Sequence, residues 1–251
     1  MDPATADALR AINRRFYEER AREFSDSRNA PWPGWLRVAP HLRKLTEAGR
    51  PLSLLDAGCG NGRFAHFLAE QLPGRPIDYT GVDASAALLE IAGRRVLPGL
   101  SVHWLQLDFM ESGDALPAGP FDCVTLFGVL HEVPGRTRRK ALIAQLAERL
   151  RGDGLLALAR WRVAELPRLR ERFLPWSAFN EHCALPLDPA QLEAGDHLLP
   201  WGEGRFVRYV HAIEREELSE ATRDLPLAPL DEYLEDGRER QLNHYAIFRR
   251  L

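Results

Sequence analysis

Apolar and polar positions in this chain repeat with two different periods, and the changes of period mark out its elements. Residues 5–24 repeat at helical spacing: Leu9, Ile12 and Phe16 form one stripe, and Arg14/Glu18 and Arg15/Glu19 stand four apart on the wet side. Segment 24–35 is too rich in proline to continue that helix. Its arginine and tryptophans suit a lid over a bound ligand, or else Trp32 and Trp35 anchor the N-terminal helix on the core. Leu52, Leu54 and Leu55 read as a short buried strand. Gly58, Gly60 and Gly62 then turn the chain into a helix with Phe64, Phe67 and Leu68 on one face.

The alternation continues. Ile77–Val82 is a second strand ending at Asp83, and Ser85 is the better N-cap for a helix over Ala86–Ala92. Val102–Leu107 is a third strand, followed by Asp108-Phe109. Phe121–Val129 is a fourth, nearly all apolar and so central in a parallel sheet. A helix over 137–150 buries Leu142, Ile143, Leu146 and Leu150, Gly152 to Gly154 end it, and Leu155–Trp161 is a fifth strand. Residues 163–204 lose the pattern and read as an inserted cap or loop beside the substrate. Arg205–His211 is extended and leads to a helix near 214–223. Two strands near 226–235 and 240–250 face each other across Asp236-Gly237. The expected fold is α/β and doubly wound, in one domain of 1–251: N-terminal helix and lid 1–50, core 51–162, insertion 163–204, C-terminal helix and hairpin 205–251.

Ligands of such sheets bind at the carboxyl ends of the strands, and Asp56, Asp83, Asp108 and His131 all fall at such ends. A strand, a glycine turn and a helix N-terminus form a nucleotide-binding device. The dinucleotide pattern G-x-G-x-x-G fails here, because Arg63 occupies its sixth place and Asp56, two residues before Gly58, would repel a pyrophosphate. S-adenosylmethionine (SAM), with a sulfonium and an ammonium, suits an acid-flanked turn. Asp83 can accept from ribose hydroxyls and Asp108 from the adenine amino group, with the Phe109 ring nearby.

Composition alters this picture little. The 251 residues are 45% hydrophobic and 27% charged, and 33 basic against 36 acidic residues give a net charge of −3, which does not advertise nucleic-acid binding. Only Lys44 and Lys140 are lysines, so arginine carries nearly all the positive charge. Cys59, Cys123 and Cys183 have no metal spacing and fit a reducing cytosol, so no metal site is expected and a cytoplasmic protein is. No apolar run approaches the ~20 residues of a membrane span, and the N-terminus carries no signal-peptide pattern.

Leu55-Asp56-Ala57-Gly58-Cys59-Gly60-Asn61-Gly62, Gly81-Val82-Asp83, Leu107-Asp108-Phe109 and Phe121-Asp122-Cys123-Val124 resemble the class I SAM-dependent methyltransferases. That resemblance implies a Rossmann-like, seven-stranded, mostly parallel sheet whose last strand is antiparallel. It also implies a cofactor site of Arg28, Trp32, Asp56, Gly58, Gly60, Asn61, Gly62, Asp83, Ala84, Asp108, Phe109, Phe127 and Gly128. Phe24-Ser25-Asp26-Ser27-Arg28, Pro31-Trp32-Pro33, Val129-Leu130-His131, Arg138-Arg139, Leu174-Pro175-Trp176 and Arg208-Tyr209-Val210-His211 look like the tRNA wobble-uridine carboxymethyl methyltransferases. Glu132 stands where that family usually has a second histidine. The family esterifies 5-carboxymethyluridine, and its eukaryotic members work with a small zinc-bearing activator at a sheet edge, here expected at Val102–Leu105.

A carboxylate acceptor needs no general base, only a clamp, and arginine is the natural one; an amine or phenol would call on His131 or Glu132. The candidates for contact with the acceptor are Arg28, His131, Arg208 and His211. Alternatively, His131 caps a helix, Arg28 pairs with Asp26, and Arg208 and His211 are structural. The islands Arg136/Arg138/Arg139/Lys140, Arg160/Arg162 and Arg168/Arg170/Arg172 could meet RNA phosphates, with Trp161 or Trp176 stacking a base, or they are solvated faces. The readings left open are a tRNA carboxyl methyltransferase, a small-molecule methyltransferase and a SAM-binding protein without catalysis.

Overall fold

The computed structural model describes residues 1–45, 50–110, 115–183, 186–202 and 204–251; parts of the expected 1–50 and 163–204 segments lie outside them. Seven strands form one sheet in the order β3-β2-β1-β4-β5-β9-β8. They are β1 (Leu52–Ala57), β2 (Ile77–Asp83), β3 (Leu100–Gln106), β4 (Phe121–Phe127), β5 (Leu150–Trp161), β8 (Leu227–Glu235) and β9 (Asn243–Arg250). β1 to β5 pair in parallel, while β9 runs antiparallel to both β5 and β8. The last strand is therefore the antiparallel one, as the resemblance implied. The expected activator strand, β3, is at a free edge of the sheet.

Period-two alternation sends successive side chains to opposite faces. Leu55, Ala57, Val124, Leu126, Leu156, Leu158, Ala246 and Phe248 pack with α5 (Arg136–Glu148) and α8 (Arg215–Thr222) on one side. Leu52, Leu54, Cys123, Phe127, Leu155, Ala157, Tyr245 and Ile247 pack with α2 (Trp35–Leu45) and α3 (Arg63–Gln71) on the other. Every residue of β4 is buried, as a central strand requires. Helix α2, which the hydrophobic spacing does not announce, holds Pro40 in its interior. Its buried stripe of Trp35, Val38, Ala39 and Leu42 outweighs that proline. The helix expected to 150 stops at Glu148. Leu150 already pairs with Phe121, and Gly152-Asp153-Gly154 bulges, with Asp153 at φ 62°, before pairing resumes at Leu155.

Helix α1 (Pro3–Asp26) is capped by Asp2, whose carboxylate accepts from Thr5 N at 2.8 Å. Above the strand ends, the region expected as an unpatterned insertion contains α6 (Pro167–Arg170), α7 (Trp176–Asn180) and β6 (Asp196–Trp201). β6 pairs antiparallel with β7 (Phe206–His211), so the expected boundary at 204/205 falls inside one ribbon. The ribbon is fixed to α1 by Asn13, whose side-chain amide pairs both ways with the Tyr209 backbone, at 3.0 and 2.8 Å. No helix among the described residues is long and apolar enough to cross a membrane.

The hairpin joins Glu235 to Asn243 through residues 236–242, longer than the two-residue turn that Asp236-Gly237 suggested. The reason is the role of Asp236. It is buried, and its carboxylate accepts from Gly34 N (2.9 Å), Asn243 Nδ2 (2.8 Å) and the Tyr245 hydroxyl (2.6 Å). Tyr233 donates to Gly34 O at 2.8 Å, and a Cβ on Gly34 would lie 2.3 Å from the Tyr245 ring. The foot of segment 24–35 is thus clasped by the hairpin. Asp236→Ala strands three buried donors, and urea denaturation should show a loss of about 3 kcal/mol of unfolding free energy.

Candidate functional site: the cleft at the strand ends

The turn after β1 is held by its neighbours. Val82 O accepts from Gly58 N at 2.8 Å and Cys59 N at 3.0 Å, while Asp83 Oδ2 accepts from Gly60 N at 2.8 Å and its Oδ1 from Ser85 N at 2.9 Å. Ser85 caps α4 (Ala86–Gly93) through Leu88 N, which leaves Asp83 facing the cleft. Burial raises the Asp83 carboxyl, opposed by the bonds from Ser85 and Gly60. Asp56 is pushed up to about 6 by burial, against hydrogen bonds from Thr125 Oγ1 (2.6 Å) and the Tyr79 hydroxyl. Asn61 Nδ2 donates to Ser25 Oγ at 2.8 Å, joining the turn to the end of α1.

The cleft has a volume of about 910 Å³. Of the expected cofactor residues, Arg28, Trp32, Asp56, Gly58, Gly60, Asn61, Asp83, Ala84, Asp108, Phe109, Phe127 and Gly128 line it. Gly62 does not: it caps α3 at φ 72°, and a Cβ there would meet Trp104 at 2.9 Å. Trp32 lines the cleft close enough that a Cβ on Gly128 would be 2.8 Å from its ring. Phe24, Arg28 and Pro33 of the same segment line it too, while Trp35 is also buried in the core beside Phe64. The lining fits SAM. Gly60 has nothing within 4 Å of where a Cβ would stand, and each Asp83 oxygen that accepts from backbone keeps a lone pair.

At the other end of the cleft, β4 runs into a short 3₁₀ turn, Leu130–Glu132. His131 is buried 5.0 Å from the Trp161 ring, with Nδ1 unpartnered, and burial with the nearby Arg208 charge pulls it down to about 3. Glu132 is raised by burial to about 7 and accepts from the Tyr17 hydroxyl at 2.5 Å. Arg208 is also buried, its guanidinium carbon 5.2 Å from the Phe16 ring and 5.3 Å from that of Trp161. Its Nε has no partner, and among the described residues no carboxylate lies within ion-pair distance of it. Arg28 is lowered by burial and by Arg208, sits over the Phe24 ring and makes no ion pair with Asp26. Tyr17 was not singled out in the sequence; its place in the aromatic cluster with Phe16 and Phe24 carries no local motif.

His211, expected near the acceptor, is not among the cleft residues. Its Nδ1 faces Asp196 at 2.7 Å and its Nε2 faces Glu217 at 3.2 Å, where Arg139 also pairs with Glu193 and Glu217 at 2.7 and 2.6 Å. Glu193, Asp196 and His211 have metal-like spacing, but Arg139 already supplies a cation to that cluster. The basic islands are largely neutralised. Arg136 pairs with Glu220, Arg138 with Asp7, Lys140 with Asp224, Arg160 and Arg162 with Glu165, and Arg168 with Glu239. Trp161 lines the cleft, whereas Trp176 donates to Asp196 O at 3.2 Å outside it.

Residues 54–154 match the family model described as a methyltransferase domain. The magnesium protoporphyrin IX methyltransferase of Synechocystis PCC 6803, solved with bound S-adenosylhomocysteine, shares the fold: TM-score 0.63, 16% identity, 96% of this chain and 99% of that one. Over residues 54–154, with the glycine turn and the strand-end carboxylates, the chain carries a methyltransferase domain of the SAM-dependent kind. Its relatives divide by acceptor. A probable tRNA methyltransferase 9B of Bos taurus is 28% identical over 70% of this chain and 36% of its own length. A tRNA (carboxymethyluridine(34)-5-O)-methyltransferase of Arabidopsis thaliana is 28% identical over 59% and 32%. A trans-aconitate 2-methyltransferase of Deinococcus radiodurans is 33% identical over 54% and 45%. The chain spans less than half the length of these relatives.

Asp83→Ala removes a charged acceptor from the cleft and from Gly60 N, so calorimetry should find S-adenosylhomocysteine bound about 10- to 100-fold more weakly. The His211 site makes a separate prediction. Its imidazole is buried, yet Asp196 and Glu217 raise it above its ordinary value. The stability it contributes is fully present below about pH 6.5 and is lost as pH rises through the higher folded value. A His211→Gln variant should lose that slope in melting temperature against pH.

Proposed function

We propose that the protein is a SAM-dependent methyltransferase whose acceptor is a carboxylate, held by Arg28 and Arg208. The observation that carries this reading is the pair of arginines turned to one end of the cleft, one of them fully buried, with no carboxylate partner among the described residues. Glu132 acts on Arg208 electrostatically but makes no ion pair with it, and a bound carboxylate supplies the charge-assisted hydrogen bonds that the buried guanidinium lacks. Trans-aconitate and carboxymethyluridine, the acceptors in two relatives' names, are both carboxylic acids.

Asp83, Asp108 and the Gly58–Gly60 turn would hold the cofactor, and Asp56 braces that turn through Tyr79 and Thr125. Bound SAM supplies a methyl group on a cationic sulfur, which a carboxylate oxygen displaces in line to give an ester and a neutral thioether. No proton moves, so the residues need only align the reactants, which supplies roughly 7–11 kcal/mol of the barrier. His131, at about 3, is neutral and no base at working pH. Phe16, Trp161 and Phe24 surround the arginines and exclude water from the charges they hold.

The likeness to tRNA methyltransferases favours the carboxylate of 5-carboxymethyluridine at a wobble position, with an activator added at the β3 edge. A free small acid is the second reading, favoured by the basic islands, most of whose arginines are already paired with acids. Labelled SAM separates the two when offered with trans-aconitate or with tRNA bearing 5-carboxymethyluridine. The product should release labelled methanol in alkali, as esters do; an alkali-stable label would sink the carboxylate reading. Arg208→Gln should lower kcat/KM about 100-fold while leaving S-adenosylhomocysteine affinity unchanged.

A further inference from the structure

A buried carboxyl group beside an anion site opposes the ligand that the site is built for. Glu132 is in that position. It lines the cleft wall with Oε1 2.5 Å from the Tyr17 hydroxyl of α1 and 3.9 Å from His131 Nε2. Arg208 of β7, Arg28 and Asp83 at the end of β2 line the same cleft; the charges of Arg208 and Asp83 act on Glu132, and Arg28 is within electrostatic reach of Arg208 and Tyr17. We propose that Glu132 responds to the acceptor's charge: when a carboxylate enters at Arg28 and Arg208, Glu132 takes up a proton and becomes a neutral hydrogen-bond donor. The inference rests on the carboxylate-acceptor reading.

The surroundings determine where that proton goes. Burial and Glu132 itself keep the Tyr17 hydroxyl protonated, so it donates to Oε1 and leaves Oε2 for the incoming proton. Glu132 already stands near 7, so a further negative charge beside it carries it above working pH. His131 is too far below neutrality to compete. By linkage, acceptor affinity is flat below the Glu132 titration in the open cleft and falls up to tenfold per pH unit above it.

The test is calorimetry of the protein saturated with S-adenosylhomocysteine, titrated with trans-aconitate and with 5-carboxymethyluridine in phosphate and in Tris. The expected result at pH 8 is nearly one proton taken up per acceptor bound, with affinity falling about tenfold from pH 7.5 to 8.5. Both effects should vanish in Glu132→Gln. Tyr17→Phe removes a hydrogen bond that favours the ionised form, so it should move the break in affinity to higher pH. Binding without proton uptake, or uptake that survives Glu132→Gln, overturns this inference and leaves the carboxylate reading standing. If neither acid binds, both fall together.

Discussion

One hydrogen bond, from Gly60 N–H to Asp83 Oδ2, ties the carboxyl ends of two parallel strands into a single rim. With the bonds from Gly58 N and Cys59 N to Val82 O it fixes where the turn lies, and the turn fixes where a ligand can approach the backbone. Parallel pairing of β1 to β5 then brings the ends of β2 and β4 to the same rim, so Asp56, Asp83 and His131 share one cleft although 75 residues separate the first from the last. The cost is burial of two carboxyl groups, which pushes both upward, and each is compensated by donors from adjacent strands or turns.

The end of the cleft proposed for the acceptor is assembled differently. Tyr17, Arg28, Glu132 and Arg208 come from four separate parts of the chain and meet because α1 carries the β6–β7 ribbon across the strand ends. Asn13 acts there as an extra strand partner for Tyr209, which sets the neighbouring Arg208 in depth. On the proposed reading the sheet builds the cofactor half, while the parts above it build the half that meets the acceptor, a division that lets one fold serve many substrates.

The same division decides what could be read from the sequence. The cofactor half is local: strand, glycine turn and helix lie within about twenty residues, and each strand-end acid follows its own apolar run. Those residues are legible as a cluster, and the structure brings them to one cleft, apart from Gly62, which packs against Trp104 outside its lining. The acceptor half depends on contacts between distant segments. Arg28 and Arg208 were visible as candidates, but Tyr17 was not, and His211 proved to belong to the Arg139 cluster that the sequence had scattered over four places. β6 and α2 were missed because Pro200 and Pro40 break patterns that tertiary packing restores.

The position of β9 bears on how the molecule is made. This strand follows the other six strands of the sheet in sequence yet is an interior one, inserted between β5 and β8, and it carries Tyr245, which contacts both Asp236 and Gly34. A nascent chain leaving the ribosome can form the β1–β5 layer early, but it keeps the β5 edge open until residue 250 has emerged. Until then the segment over the cleft lacks its clasp from Tyr233, Asp236 and Tyr245. The rim beside the glycine turn is thereby completed by a segment nearly two hundred residues downstream of it, not by the layer that holds the turn.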